Sequence, residues 1–105
     1  MYIQYDEHEL FEFFESEPTV VIDEETGIFI YSKQDKRGMR FVLDLSIYEQ
    51  RCSIGLCSGE YTIFEDEIDN VEKIECNAER LKIHQKDSTK GYTVYSSPNL
   101  FMKKE

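Results

Sequence analysis

After Pro18 the apolar runs of this chain are joined only by short turns, and that spacing constrains the fold more than any other feature. The runs "TVVI", "IFIYS", "MRFVLDLSIY", "RCSIGLC", "EYTIF", "LKIHQ" and "YTVYS" are punctuated by "DEETG", "KQDKRG", "SG", "NAER" and "KDSTKG". A parallel crossover needs about a dozen residues or more, so neighbouring strands must run antiparallel. The clearest period-two signal is "MRFVLDLSIY". It sets Met39, Phe41, Leu43, Leu45 and Ile47 on one face and Arg40, Asp44 and Ser46 on the other. In "RCSIGLC", Cys52, Ile54 and Leu56 share a side, and "LKIHQ" turns Leu81 and Ile83 inward, with Lys82 and His84 outward. "IFIYS" is apolar on both faces and reads as a covered central strand, with Ser58-Gly59 as the two-residue hairpin after "RCSIGLC". "EDEIDNVEKIEC" reads as a loop leading into a strand over residues 71–75, and "SPNLFMKKE" as a tail whose apolar residues dock.

Before Pro18 the pattern is helical, over residues 7–16. Asp6 is the N-cap, and Glu9, three residues on, completes a capping-box-like pair. Leu10, Phe11 and Phe14 form the apolar stripe, Glu12 and Glu15 face water, and Pro18 stops the helix. The expected fold is α+β: one N-terminal helix packed on a twisted antiparallel meander of seven or eight strands, with a half-closed barrel as the alternative. At 105 residues the chain suits one domain, 1–105, with one modest core. It has no apolar run long enough to cross a membrane as a helix and no export signal. Together with an odd count of three cysteines, this points to the reducing cytoplasm.

Catalytic motifs are lacking. There is no G-x-S-x-G, phosphate-binding loop, dinucleotide fingerprint or H-E-x-x-H, so no enzyme activity and no cofactor are expected. His8 falls in the first helical turn and His84 on the polar side of a strand, where each is a surface residue. Cys57, beside Ser58 and Gly59, has no evident activating base. Cys52 and Cys57, five apart in one strand, point to opposite faces and cannot share a metal, so with Cys76 they read as small apolar filler. Asp66, Asp69 and Glu72 lack the glycine and the spacing of a calcium loop. No metal site is expected.

Charge carries more information. The first 32 residues hold nine carboxylates and no Lys or Arg, and residues 58–79 hold eight against a single Lys, within a net charge of −10. That sign disfavours nucleic acid and anionic membranes as partners. Solubility alone accounts for some acidity, yet segregated charge is costly and serves capture of a basic protein. The candidate partner-binding residues are Glu65, Asp66, Glu67, Asp69 and Glu72, with Glu12 and Glu15 as a second patch and Tyr48, Tyr61 or Tyr95 as an aromatic anchor. If the helix and the 60–79 segment meet, they make one acidic face.

An acidic chain of this size, with an N-terminal helix, short strands and the hairpin pattern V-x-x-I-(six)-L-x-I in "DNVEKIECNAERLKIH", resembles the small immunity proteins of bacterial polymorphic-toxin and contact-dependent inhibition systems. The resemblance implies a tight inhibitory complex with a basic toxin domain, often a nuclease. Two other readings stay open. One is an inhibitor that mimics nucleic acid. The other is a structural domain, with a homodimer possible if Phe29, Tyr31 and Tyr95 lack cover.

Overall fold

The computed structural model describes residues 2–86, 91–96 and 100–104. The order is helix α1 (Glu7–Phe14), β1 (Thr19–Val20), a 3-10 turn (Glu24–Thr26), β2 (Ile28–Gln34), β3 (Met39–Ser46), β4 (Arg51–Ser58), β5 (Tyr61–Ile68), β6 (Val71–Cys76), β7 (Arg80–Gln85), β8 (Gly91–Tyr95) and β9 (Phe101–Lys104). Every pairing between strands is antiparallel and follows chain order, but the strands divide into a five-stranded sheet, β1–β5, and a four-stranded sheet, β6–β9. The α+β class and the meander are as expected. Among the described residues the strands number nine, and neither sheet closes into a barrel.

The division falls at Asp69–Asn70. "EDEI" is not loop but the second half of β5, and Asn70 takes a left-handed turn (φ +55°) that sends the chain to the other sheet. Asn tolerates that conformation better than most residues. The acids hid the strand because β5 is an edge, where charged side chains and an inward carboxylate protect open backbone groups from foreign pairing. The β4–β5 hairpin turns on Gly59 and Glu60, with Gly59 at φ +59°, one residue later than the sequence suggests. "IFIYS" lies in β2, covered on one flank by β3 and on the other only by the two residues of β1, so it is not central. The "KDSTKG" turn falls mostly outside the described residues.

One core serves both sheets. Phe41, Leu43, Leu45, Cys52, Ile54 and Ile68 face it from the first sheet, and Val71, Ile74, Cys76, Leu81, Ile83 and Val94 from the second. The residues that sequence alternation assigned to the core face of β3 are all buried except the half-buried Met39. Cys52 and Cys76 are core residues whose thiols burial pushes up to about 12, with nearby carboxylates adding to the shift, which leaves them inert as nucleophiles.

Helix α1 caps one end of the core. Asp6 Oδ1 accepts from the amides of His8 (2.8 Å) and Glu9 (3.2 Å), as an N-cap should. Glu9 does not close the box. It reaches to β6 and accepts from the Cys76 amide at 3.2 Å. The buried stripe is Leu10, Phe13 and Phe14, while Phe11 is 48% exposed. All four residues are apolar, so helical spacing allowed either stripe, and the positions of β2 and β6 chose between them. The helix ends before Pro18 can act: Glu15 turns left-handed (φ +58°), its amide bonds Phe11 O, and Lys33 Nζ caps Phe13 O at 2.7 Å.

Two clasps tie the halves together. Near the N-terminus, Ile3 N–H bonds Ile47 O, Gln4 N–H bonds Glu72 O, and Ile74 N–H bonds Gln4 O. At the other end the Asp35 carboxylate accepts from the Arg37, Met39 and Leu100 amides and from the Arg37 guanidinium, which also donates to Leu100 O. Leu100 is buried, so the tail docks as expected. Burial alone would push the Asp35 carboxyl up, but the bonds from Met39, Arg37 and Leu100 outweigh it and hold it below the usual carboxylate range. A carboxylate depressed in the folded state contributes stability above its unfolded pKa and loses it as pH falls through the folded value. Asp35→Asn is therefore expected to lower Tm at neutral pH, with the gap to wild type narrowing as the pH drops below the carboxylate range. Parallel melting curves with a pH-independent gap would contradict this assignment.

Candidate partner-binding surface

The acidic residues marked by the sequence fall into three structural situations. Glu67 and Asp69 converge on Arg51, at 3.3 and 3.0 Å from its Nε, and Glu15 pairs with Lys33 at 3.3 Å. These acids are locally compensated, and exposed pairs of this kind contribute little to stability. Asp66 points inward from β5 and accepts a hydrogen bond from the Tyr92 hydroxyl across the gap between the sheets. Burial first, and then Asp66, pushes that hydroxyl up to about 12, so it stays a donor. Asp66 is thus a strut between the sheets rather than part of the outer face. Glu65, Glu72 and Glu12 are exposed and have no ion-pair partner among the described residues. Glu65 stands on the outer sheet face beside a shallow depression of about 210 Å³ lined by Val42, Ser53 and Gly55.

The two acidic blocks meet only in part. Helix α1 packs on β6, where Asp6, Glu9, Glu12 and Glu75 all lie close enough to Cys76 to raise its thiol pKa. The acids of β5 belong to the other sheet, at its edge. The outer face of the second sheet is basic instead. Register places Lys73, Lys82, Lys103 and Arg80 there, with Glu75 between Lys73 (3.6 Å) and His84 (3.3 Å).

Tyr48 is 63% exposed, and its ring lies over Gly27, where a Cβ would stand 2.7 Å from Tyr48 Cδ2. Gly27 also has φ +69°, so glycine is needed there twice over. Tyr61 is exposed, and Tyr95 stacks on Phe101 with centroids 4.5 Å apart. Sequence reasoning missed Ile22, which is 86% exposed and sits at φ +68°. That conformation is rare for a β-branched residue. It also missed a concavity of about 440 Å³ formed by α1, the segment that follows it and β2.

No family model and no curated protein matches the sequence. One solved structure does match in fold. A chain of the contact-dependent growth inhibition toxin–immunity protein complex from Klebsiella pneumoniae 342 superposes with a TM-score of 0.78 at 23% identity, covering 100% of this chain and 98% of that one. The helix and two-sheet meander are therefore an arrangement shared over the whole length of both chains, and the resemblance drawn from the sequence meets a structure of the same kind of system.

Proposed function

We propose that this chain is an immunity protein that binds a toxin domain of a contact-dependent inhibition system and neutralises it without chemistry of its own. The observation that carries the reading is the full-length fold match to a chain of a toxin–immunity complex. Charge supports the immunity side of such a pair. A chain of net charge −10 whose first 32 residues lack any Lys or Arg is suited to cover a basic surface, and a nuclease site that binds phosphates is basic. Glu12, Glu65 and Glu72 supply uncompensated charge for steering, Glu67 and Asp69 can exchange Arg51 for a partner's cation, and Tyr48 offers an exposed ring.

The toxin side of the pair deserves a test because of the His84–Glu75 contact on the basic sheet. Both side chains are about half exposed on open strands, and the overall charge opposes approach of a polyanion, so the inhibitory reading is the better supported.

Co-expression with its cognate toxin domain, sought first in the neighbouring genes, should restore growth, and the purified chain alone should leave RNA and DNA uncut. Joint reversal of the outward acids Glu65, Glu67 and Asp69 to Lys is expected to weaken the complex at least about 100-fold at low salt, measured by titration calorimetry. Unchanged affinity would remove the β5 edge from the contact surface. Failure to protect cells at any expression level would reject the immunity reading.

A further inference from the structure

The concavity between α1 and β2 has a composition that neither end of the chain explains alone. Its walls include Tyr5, Phe11, Phe29 and Tyr31, and its rim carries Glu7 and Glu17. At about 440 Å³ it falls within the range of roughly 300–1,000 Å³ typical of ligand sites. Three observations say what would occupy it.

The first is charge. Neither Glu7 nor Glu17 has an ion-pair partner among the described residues. Lys33, two residues beyond Tyr31 on the same side of β2, is committed elsewhere, to Phe13 O and Glu15. The second is the aromatic wall. Ring faces attract cations through their quadrupole, more strongly where the contact is desolvated. Phe11 is the helix residue left out of the core stripe, and this cavity is where it goes. The third is Tyr31. The residue is only 4% exposed, and its hydroxyl, which has no hydrogen-bond partner among the described residues, keeps its solvent-accessible edge toward the cavity that Tyr31 lines. Burial first, and then Tyr5, Glu7 and Glu17, pushes that hydroxyl up to about 12, which keeps it neutral. A neutral phenol oxygen can accept from an N–H.

We infer that this cavity is a receptor for one cationic side chain, Lys or Arg, projecting from the basic protein that the chain binds. The aromatic rings hold the flat or methylene part, Glu7 and Glu17 take the charge at the rim, and the cavity-facing Tyr31 hydroxyl accepts from an N–H. The inference rests on the proposed function for the source of the side chain, but not for the existence of the site.

The test separates the two. Nα-acetyl-arginine methylamide, Nα-acetyl-lysine methylamide and the neutral Nα-acetyl-norleucine methylamide are titrated into the ¹⁵N-labelled protein and followed by NMR. The cationic probes should shift the amides of Tyr5, Phe29 and Tyr31 and the norleucine probe should not. Phe11→Ala, exposed enough to be tolerated, and the double variant Glu7→Gln/Glu17→Gln should each weaken the cationic probes at least five-fold with unchanged melting curves. Tyr31→Phe should weaken them while keeping the ring stack on Phe14. Equal shifts from norleucine, shifts spread over carboxylates elsewhere, or unchanged binding by the double variant would overturn the site. If the toxin binds wild type and all these variants alike, the cavity is not part of that interface and the inference fails, while the immunity function stands. If the probes bind as expected but no toxin does, the function fails and the site stands.

Discussion

Phe13→Ala is expected to be among the most damaging single substitutions in the molecule, lowering stability by about 3–5 kcal/mol. The ring is fully buried, lies edge-on to Phe14 (4.9 Å) and Phe41 (6.4 Å), and has the Lys33 ammonium 5.6 Å from its centroid. Its removal leaves a cavity where helix and sheet meet, and no neighbouring side chain is free to fill it, because Phe14 is itself stacked on Tyr31 and Phe41. For a domain of this size the loss corresponds to a Tm drop on the order of 15–30 °C, most or all of a typical margin. The neighbouring Phe11→Ala should cost far less, since that ring is half in water. Thermal melts of the two variants decide the matter. Equal losses would mean that the helix is docked through a different face.

Gly91→Ala is expected to be nearly as severe, for the opposite reason. Gly91 pairs with His84 at the start of β8, and a Cβ there would lie well inside 3.0 Å of the Ile83 carbonyl oxygen. The obstacle is backbone in a paired strand and cannot rotate away, so β7 and β8 must separate locally. The expected cost is at the top of the about 1–3 kcal/mol range for overpacking, or above it. Gly38→Ala makes a useful contrast, because nothing lies within 4 Å of its Cβ position and only the positive φ of +86° opposes the substitution. A denaturant midpoint for Gly91→Ala no lower than that for Gly38→Ala would show that the β7–β8 pairing has more room than its register implies.

The meander was readable because each turn is a local event, written in Gly, Asn and Asp next to alternating apolar residues. What the sequence concealed were decisions made by parts of the chain far from each other. Whether Phe11 or Phe13 enters the core depends on where β2 and β6 come to rest, and nothing within the helix records that. Residues 65–67 looked like loop because three consecutive acids are unusual in a strand. Their alternation, with Glu65 and Glu67 outward and Asp66 inward to Tyr92, becomes visible only once β8 is in place. The Asp69–Asn70 turn marks a break in the sequence, but nothing in it says that left-handed Asn70 sends the chain to a second sheet. Of the marked acids, Glu12, Glu65 and Glu72 have no ion-pair partner among the described residues, while Glu15, Glu67 and Asp69 have cations that sequence spacing could not pair with them, Lys33 and Arg51 lying eighteen residues away or nearly so.

The Asp35–Leu100 clasp joins positions 65 residues apart, whereas each described hairpin in this fold joins strands that follow one another along the chain. During synthesis, then, the ladders can zip in the order they leave the ribosome, each contact quick and cheap in loop entropy. Sealing is different in kind. The flank of the interior beneath the β2–β3 turn stays open until Leu100 has been delivered, after β1 to β8 have been made.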